Sequence, residues 1–285
     1  MPASSVLNVG PLNGIRVLEL GQIAAGPFTA SLLADLGADV VKIERPDGGD
    51  GMRQWPPFSS TASDAKGNNT GYSENFASVN RNKRSVALDL KSEADLVTLK
   101  ALVANSDILI ENYRPGVLTR LELGYEDMKK VNSKLIYCSI SGYGQTGPYA
   151  TKGAFDVTVQ AIAGIMSVTG EPGAPPVKCG VPVGDFCAGL YAGFSILAML
   201  RRAEKTGVGA HIDCSMLGSL LGVSALQTSE YFGNGLPPER LGSAHPRNAP
   251  YQAFEAADTY FVIAAGNDKL WHEVAIAVKM PELAN

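Results

Sequence analysis

Short β-branched runs alternate with helix-like stretches along the first 150 residues. Residues 15–20 form the first such run and residues 39–44 form the second. They are separated by a Gly/Ala/Pro turn at 21–27 and an apolar helix pattern at 28–36, which Gly37 is suited to end. This order predicts a βαβ unit and therefore an α/β fold with a parallel sheet. Further strands are predicted at 85–90, 108–111, 135–139 and 211–214, and further helices at 92–103 and 125–131.

The pattern becomes mainly helical after Pro148. Helix-like stretches at 156–166 and 186–202 are separated by a Gly/Pro-rich loop at 170–182. Small residues on one side of the second stretch permit close helix packing: Ala188, Gly189, Ala192 and Gly193. The remaining predictions are a helix at 216–232, a linker at 237–250, a strand pair at 251–254 and 260–264, and a helix at 270–278.

The composition is that of a globular protein with a large core, since 45% of residues are apolar and 18% are charged. It excludes disorder as the main state, because burial of this apolar surface offsets the conformational entropy of the chain. The net charge of −4 excludes an overall basic field that would attract nucleic acid. Glycine accounts for 31 of the 285 residues without a strict period, which favours backbone-lined turns and excludes collagen.

Neither a membrane span nor an export signal is predicted. The longest apolar stretches, 190–200 and 217–226, are shorter than the ~18 residues that a span requires. Residues 1–10 lack the basic and apolar regions of a leader peptide, so a cytoplasmic location is expected. The sequence has four cysteines: Cys138, Cys179, Cys187 and Cys214. They are interpreted as reduced, mostly buried thiols. No metal site is expected, because they form no C-x-x-C pair and have no histidine nearby in the sequence.

Two features near the ends of predicted strands could contact an anionic ligand. The turn at 24–27 follows the first strand, where open α/β sheets bind ligands, although it lacks the G-x-G-x-x-G pattern. A purely structural strand-to-helix turn is the alternative. The basic run at 80–84, NRNKR, could direct its cations at a phosphate, with Arg45 as a second group. A solvated face is the alternative for that run.

Two aspartates stand at the starts of predicted helices. Asp156 follows a glycine-rich stretch at 141–148, and Asp185 begins the small-residue helix. Each could be an N-cap or a reactive carboxylate held at a helix N-terminus. A Ser–His–Asp hydrolase is not predicted, because there is no G-x-S-x-G turn and the histidines lie in unrelated contexts: His211, His245 and His272.

Eight ordered segments together resemble a known family over essentially the whole chain. They are similar to the class III CoA-transferases, which include formyl-CoA and carnitine CoA-transferases, with α-methylacyl-CoA racemase as a sister: 11–19, 25–27, 36–46, 80–84, 111–116, 141–148, 155–156 and 207–213. The resemblance implies an interlocked homodimer and three segments. These are a Rossmann-like, CoA-binding large domain at 1–215, a helix and linker at 216–250, and the start of a smaller α+β domain at 251–285. Family members continue beyond residue 285, so the second domain is expected to be incomplete.

The resemblance also implies roles for individual residues. Asp156 matches the nucleophilic aspartate, which attacks an acyl-CoA thioester to give a mixed anhydride and then an aspartyl-CoA thioester. Coenzyme A is then part of the substrate, a small carboxylic acid is the other partner, and no permanently bound cofactor is expected. The positions that match CoA contacts are Ala24, Ala25, Arg45, Lys83, Asn112, Tyr113 and Arg120, with Asp185, Tyr143 and Gly266 as further candidates.

Three residues bear on the branch of the family. The formyl-CoA enzymes carry Gln where this chain has Ala24, which argues against formate or oxalate as substrate. The racemases carry His where this chain has Phe155, while Asp185 matches their later aspartate, so only half of the proton-shuttling pair is present. The resemblance therefore favours a dicarboxylate branch with a donor such as succinyl-CoA. A racemase and a catalytically silent CoA-binding remnant are the alternatives.

Overall fold

A computed structural model describes residues 10–59 and 71–284 of the chain. Six parallel strands form one sheet in the order β3-β2-β1-β4-β5-β6. This is the strand order of the doubly wound Rossmann-like fold, in which the order reverses between β1 and β4. The predicted parallel α/β fold is therefore confirmed. The strands are β1 Arg16–Glu19, β2 Asp39–Glu44, β3 Lys83–Ala87, β4 Ile108–Glu111, β5 Ile136–Ser141 and β6 Ala210–Ser215.

Helices connect these strands and cover the sheet. The central strands β4 and β5 are buried along their whole length, and the core forms where they meet the helices. The helices are α1 Ala25–Asp35, α2 Glu74–Ser78, α3 Glu93–Ala104, α4 Val117–Arg120, α5 Tyr125–Val131, α6 Asp156–Ile162, α7 Ile165–Val168, α8 Val183–Thr206, α9 Met216–Val223, α10 Ala225–Asn234 and α11 Asp268–Ala277, with 3-10 turns at Gly51–Gln54 and Pro281–Ala284. Strands β7 Tyr251–Glu255 and β8 Tyr260–Ala264 form the predicted antiparallel pair.

Several element boundaries differ from the predictions for local reasons. Helix α1 begins at Ala25 rather than at residue 28, because Pro27 is tolerated in a first turn, where its missing N–H needs no partner. The predicted helix 156–166 is divided at Gly164, whose φ of 82° is left-handed. The predicted helix 216–232 is divided at Ser224. The predicted irregular loop at 46–72 contains the first 3-10 turn, and its residues 60–70 lie outside the described part of the chain.

Helix α8 packs its small-residue face against α1, β5 and β6, as the sequence pattern predicts. The approach is close at Gly189, where an added Cβ would lie 2.6 Å from the Phe28 ring. Among the described helices, α8 alone is long and apolar enough to cross a membrane by length and composition. The apolar stretch at 190–200, which lies within α8, is by itself too short for a span. Its buried face is that of a helix in a protein core.

The chain forms two compact units. The first comprises the described part of residues 1–159 together with Pro182–Val223, and it contains the six-stranded sheet. The second comprises Gln160–Val181 and the described residues from Ser224 onward, and it contains β7, β8 and α11. The domain boundaries predicted after residues 215 and 250 stay predictions. The N-terminal residues 1–9, on which the leader-peptide interpretation depends, lie outside the described part.

Candidate active site

A cavity of about 420 Å³ opens in the first unit at the point where the strand order reverses. The loops that follow β1, β4 and β5 form its walls, and the first turns of α6 and α8 complete it. Ligands bind at this position in open α/β sheets. The lining residues are Gln22, Ile23, Ala24, Ala25, Asn112, Tyr113, Arg114, Pro115, Ile140, Ser141, Gly142, Lys152, Ala154, Phe155, Asp156, Asp185 and Met216.

Asp156 begins helix α6, and its carboxylate faces the N-terminus of a second helix, α8. Oδ1 accepts the backbone N–H of Gly184 at 2.7 Å and that of Asp185 at 3.4 Å. The N-terminus of a helix carries unpaired N–H groups and a partial positive charge, which favour a carboxylate. A Cβ at Gly184 would lie 2.9 Å from Oδ1, so a larger residue at this position would displace the carboxylate. The geometry thus presents an oriented carboxylate to the cavity.

Asp185 lines the same cavity as Asp156, one residue into the first turn of α8 after Gly184. Burial, together with the negative charge of Asp156, raises the pKa of Asp185 to about 6. Two neighbouring carboxylates with different environments can take different roles, one ionised and one able to hold a proton near neutral pH.

The loop after β4 is built around two polar side chains. Asn112 accepts the N–H of Gln22 at 2.8 Å and donates to the carbonyl of Gln22 at 2.9 Å. Its amide therefore holds the β1–α1 loop against the β4 loop. The Glu111 carboxylate accepts the N–H of Tyr113 at 2.8 Å, and burial raises its pKa to about 7. Both residues shape the cavity wall through the backbone.

Two basic residues that the sequence analysis did not single out also line the cavity. Arg114 follows Tyr113 in the β4 loop, and Lys152 lies in the loop that leads to Asp156. Both side chains are exposed, so they are accessible to an anionic ligand. The available sequence signal was the position of each basic residue, one beside a predicted strand end and the other just before the candidate nucleophile. Backbone groups of Gln22 and Ile23 were also missed.

The structure brings together only some of the predicted site residues. Six of them line the cavity: Ala24, Ala25, Asn112, Tyr113, Asp156 and Asp185. Four others lie in the same unit but do not line it: Arg45, Lys83, Arg120 and Tyr143. Arg45 and Arg120 are exposed, and Arg45 donates to the carbonyl of Gly49 at 2.9 Å. The Tyr143 ring packs edge-on against Tyr149. Gly266 belongs to the second unit, where it lines a separate cavity beside α11.

Lys83 is placed differently from what a phosphate contact would require. Its side chain is only 2% exposed, and its ammonium bonds to Glu19, Pro27 and Asn80. Burial lowers the pKa of Lys83 to about 8, although the charge of Glu19 opposes this shift. The exposed cations of the same run, Arg81 and Arg84, pair with aspartates. Within the described residues, no group of three His, Cys, Asp or Glu side chains could hold a metal ion.

Comparisons with known proteins agree with this architecture. The model of CoA-transferase family III matches residues 12–285. A succinate–glutarate CoA-transferase of Agrobacterium fabrum is 44% identical over 90% of this chain and 64% of its own length. An acetyl-CoA:oxalate CoA-transferase of Acetobacter aceti is 41% identical over 96% of this chain and 68% of its own length.

The crystal structure of a CaiB/BaiF family protein from Brucella suis superposes with a TM-score of 0.86 at 42% identity, covering 96% of this chain and 71% of that protein. The chain thus spans a little under two thirds of the Agrobacterium fabrum protein and slightly more of the other two. The family model covers nearly all of the chain, and both sequence and fold agree with it, so the chain belongs to CoA-transferase family III.

Proposed function

We propose that this chain carries the catalytic carboxylate of a CoA-transferase, which moves CoA between an acyl-CoA thioester and a small carboxylic acid, and that Asp156 is the nucleophile. The observation that carries the proposal is the Asp156 carboxylate, held by the N-terminus of α8 at 2.7 Å inside the cavity at the sheet's reversal point. A carboxylate fits this reaction because its anhydride and its thioester can both exchange with the substrates.

The proposed reaction consists of four acyl exchanges. Asp156 attacks the donor thioester carbonyl, the C–S bond breaks, and a mixed anhydride and the CoA thiolate result. The thiolate then attacks the aspartyl carbonyl, which forms an aspartyl-CoA thioester and releases the donor acid as a carboxylate. The acceptor carboxylate attacks this thioester and regenerates a thiolate and an anhydride. The thiolate finally attacks the acceptor carbonyl, and Asp156 leaves as a free carboxylate.

The hydrogen bonds to Asp156 Oδ1 suit the second and third exchanges. In those steps the carbonyl carbon of Asp156 is attacked, and negative charge develops on its oxygen. The N–H groups of Gly184 and Asp185 would then stabilise that charge in place before the reaction, in the manner of an oxyanion hole. Arg114 and Lys152 supply positive charge along the same cavity for the anionic acid or the thioester.

The β1–α1 and β4 loops are the proposed binding surface for coenzyme A. Ala24 and Ala25 present small side chains and backbone to the cavity, which leaves room for the pantetheine arm. Asn112 and Tyr113 of the β4 loop also line the cavity. We assign the phosphates of coenzyme A to the guanidinium groups of Arg45 and Arg120, since such groups pair well with phosphate oxygens. Both arginines are exposed on the surface of this unit.

We propose succinyl-CoA or a similar dicarboxylic donor and a dicarboxylic acceptor. The Agrobacterium fabrum relative is named for succinate and glutarate, and the cations beside the cavity suit a second carboxylate on the acid. The Acetobacter aceti relative is named for acetyl-CoA and oxalate at a similar identity. Oxalate therefore belongs in the panel of test acids, although Ala24 replaces the glutamine of the formyl-CoA enzymes.

Homodimer formation and a cytoplasmic location are part of the same proposal. Large apolar side chains on α8 and α9 are exposed in the single chain, among them Leu190 at 54%, Phe194 at 74% and Leu221 at 47%. Exposed apolar surface of this kind is typical of an interface. Light scattering of the purified protein is the test: a mass near 30 kDa would contradict the dimer and a mass near twice that would support it.

The test of the reaction is a covalent adduct. The protein is incubated with succinyl-CoA and glutarate, treated with hydroxylamine, and digested for mass spectrometry. A hydroxamate on the peptide that contains Asp156 is expected, and Asp156→Ala should abolish both the adduct and CoA transfer. Asp127→Ala is the matched control, because this aspartate is paired with Lys130 on the surface of α5. CoA binding without an adduct in the native protein would favour a catalytically silent remnant.

A second variant separates transfer from racemisation. Asp185→Asn should reduce CoA transfer less than Asp156→Ala does, since Asp185 is not the proposed nucleophile. The opposite order, together with exchange of the substrate α-proton with D2O, would indicate a racemase-like proton transfer and would overturn the proposed function.

A further inference from the structure

We propose that four buried charged residues, Glu19, Lys42, Asp50 and Lys83, act as positioning residues that hold the β1–α1 loop against the cavity, and that Lys83 acts there instead of binding a CoA phosphate. We call these four residues the buried charge cluster. The proposal rests on the proposed function for its kinetic consequence, whereas its structural consequence can be tested without any turnover.

Lys42 ties down the start of the loop. It lies in the middle of β2, and its side chain is 2% exposed. Its ammonium lies 2.6 Å from Glu19 Oε1, 2.7 Å from the Gly21 carbonyl and 3.0 Å from Asp50 Oδ2. An ammonium has three protons to donate, so these three acceptors use all of them. The Gly21 carbonyl lies near the start of the loop, two residues after the end of β1.

Lys83 ties down the first turn of α1, which directly follows the loop, in the same way. Its ammonium lies 2.6 Å from Glu19 Oε2, 2.8 Å from the Pro27 carbonyl and 3.0 Å from Asn80 Oδ1. Glu19 therefore bridges the two ammonium groups with its two oxygens, and its side chain is fully buried. Lys83 has no proton left to donate to a phosphate, and its side chain, only 2% exposed, is almost inaccessible to one.

Asp50 holds the middle of the loop. Its two carboxylate oxygens lie 3.1 and 3.2 Å from the backbone nitrogen of Ile23, and Oδ1 also accepts the N–H of Met52 at 2.9 Å. Ile23 has a φ of 67°, a left-handed conformation that a β-branched residue rarely adopts. Such a conformation persists only where the surroundings enforce it, and it is found at ligand sites. The peptide between Gln22 and Ile23 is restrained from both sides, because Asp50 accepts its N–H and Asn112 donates to its carbonyl.

The cluster balances its own charge, with two ammonium groups and two carboxylates. Buried charges are stable in this form because each has an opposite partner and hydrogen bonds. Removal of one member leaves an unbalanced charge beneath the loop. Since residues 22–25 of this loop line the cavity, any shift of the loop changes the surface that meets the thioester. The buried charges are thereby linked to the geometry of the reaction.

The first experiment measures the loop directly. Amide hydrogen exchange is followed by mass spectrometry in wild type, Lys83→Gln and Lys130→Gln, the last being a control that breaks an exposed ion pair on α5. We expect the peptide that contains residues 21–27 to exchange at least tenfold faster in Lys83→Gln, with β4 and β5 unchanged. Unchanged exchange in that loop would overturn the proposal, whether or not the protein is active.

The second experiment separates positioning from phosphate binding. Kinetic constants are measured with succinyl-CoA and with its 3′-dephospho analogue. For Lys83→Gln we expect kcat to fall at least tenfold with both donors, while the ratio of their kcat/KM values stays within twofold of wild type. A raised KM for succinyl-CoA alone, with loss of that ratio, would show a phosphate contact and overturn the proposal. Absence of turnover in wild type would refute the proposed function and leave the exchange result standing.

A second variant covers the case in which Lys83→Gln does not fold. Asp50→Asn keeps both lysines and the shape of the side chain but removes one charge and weakens the restraint on Ile23. We expect faster exchange of the loop and a lower kcat, with the ratio between the two donors unchanged. Full activity and unchanged exchange in Asp50→Asn would count against the proposal.

Discussion

Asp185 gives a prediction whose size follows from the structure. Burial in the first turn of α8 is the main cause of its raised pKa, and the neighbouring charge of Asp156 adds to it. The pKa rises from the ordinary value of 3.8 to about 6. Asp185→Asn replaces the carboxyl with a neutral group of the same shape, so it removes this ionisation and little else.

Proton linkage gives the sign and the magnitude of the effect on the free energy of unfolding. The folded protein holds the Asp185 proton more tightly than the unfolded chain does, so folding is favoured while the group is protonated. This contribution is fully present below about pH 4, where both states are protonated, and is lost as the pH rises through about 6. A shift of about two pKa units at ~1.4 kcal/mol per unit gives a loss of roughly 3 kcal/mol in wild type.

Urea unfolding at several pH values between 4 and 7.5 measures this effect. The difference in free energy of unfolding between Asp185→Asn and wild type is expected to grow by roughly 2–3 kcal/mol in favour of the variant across this range. The change of the difference with pH is the relevant quantity, because any constant cost of the amide cancels. Parallel curves for the two proteins would refute the assigned environment of Asp185. Glu111→Gln should show a similar trend that begins near pH 4.5 and is complete only above about pH 7, because burial raises the pKa of Glu111 from 4.5 to about 7.

Two further predictions concern packing. Gly184→Ala would place a Cβ 2.9 Å from Asp156 Oδ1 and should displace the carboxylate. We expect kcat to fall by about 10²-fold with little change in melting temperature. An unchanged kcat in a steady-state assay would contradict the contact. Cys138 is fully buried, and burial raises the pKa of its thiol well above the ordinary value. A thiol reagent should therefore label Cys179 and Cys187 first in the native protein. Labelling of Cys138 at an equal rate, measured by peptide mass spectrometry, would contradict this burial.

The fold could be predicted from the sequence because its signals are local. Each of the six β-branched runs predicted between residues 15 and 214 became a strand of the parallel sheet, with ends that differ by at most three residues. The strand order could not be read in this way, since it depends on which strands pair across the sheet. The short helix α4 was missed because its four residues carry no periodic apolar pattern.

The site could be predicted only in part, because contacts between distant residues leave no local signal. Asp156 was identified by its position and family resemblance, but its bond to Gly184, 28 residues later, required the structure. The basic run was misleading for the same reason. Alternate residues of a strand point to opposite faces, so Lys83 is buried while its neighbour Arg84 is exposed, and the sequence shows only adjacent positive charges.

At Gly189 helix α8 lies so close to α1 that an added Cβ would be 2.6 Å from the Phe28 ring. A larger residue at position 189 would therefore push α8 away from α1 unless the Phe28 ring moved. The N-terminus of the same helix donates to Asp156 Oδ1, so a displacement of α8 would also displace the groups that hold the carboxylate. New acids could then be accommodated by exchanging loop side chains around a stationary reactive group. We therefore expect variants selected in the laboratory for a new substrate range to keep Gly189 and Phe28 at the contact between α8 and α1.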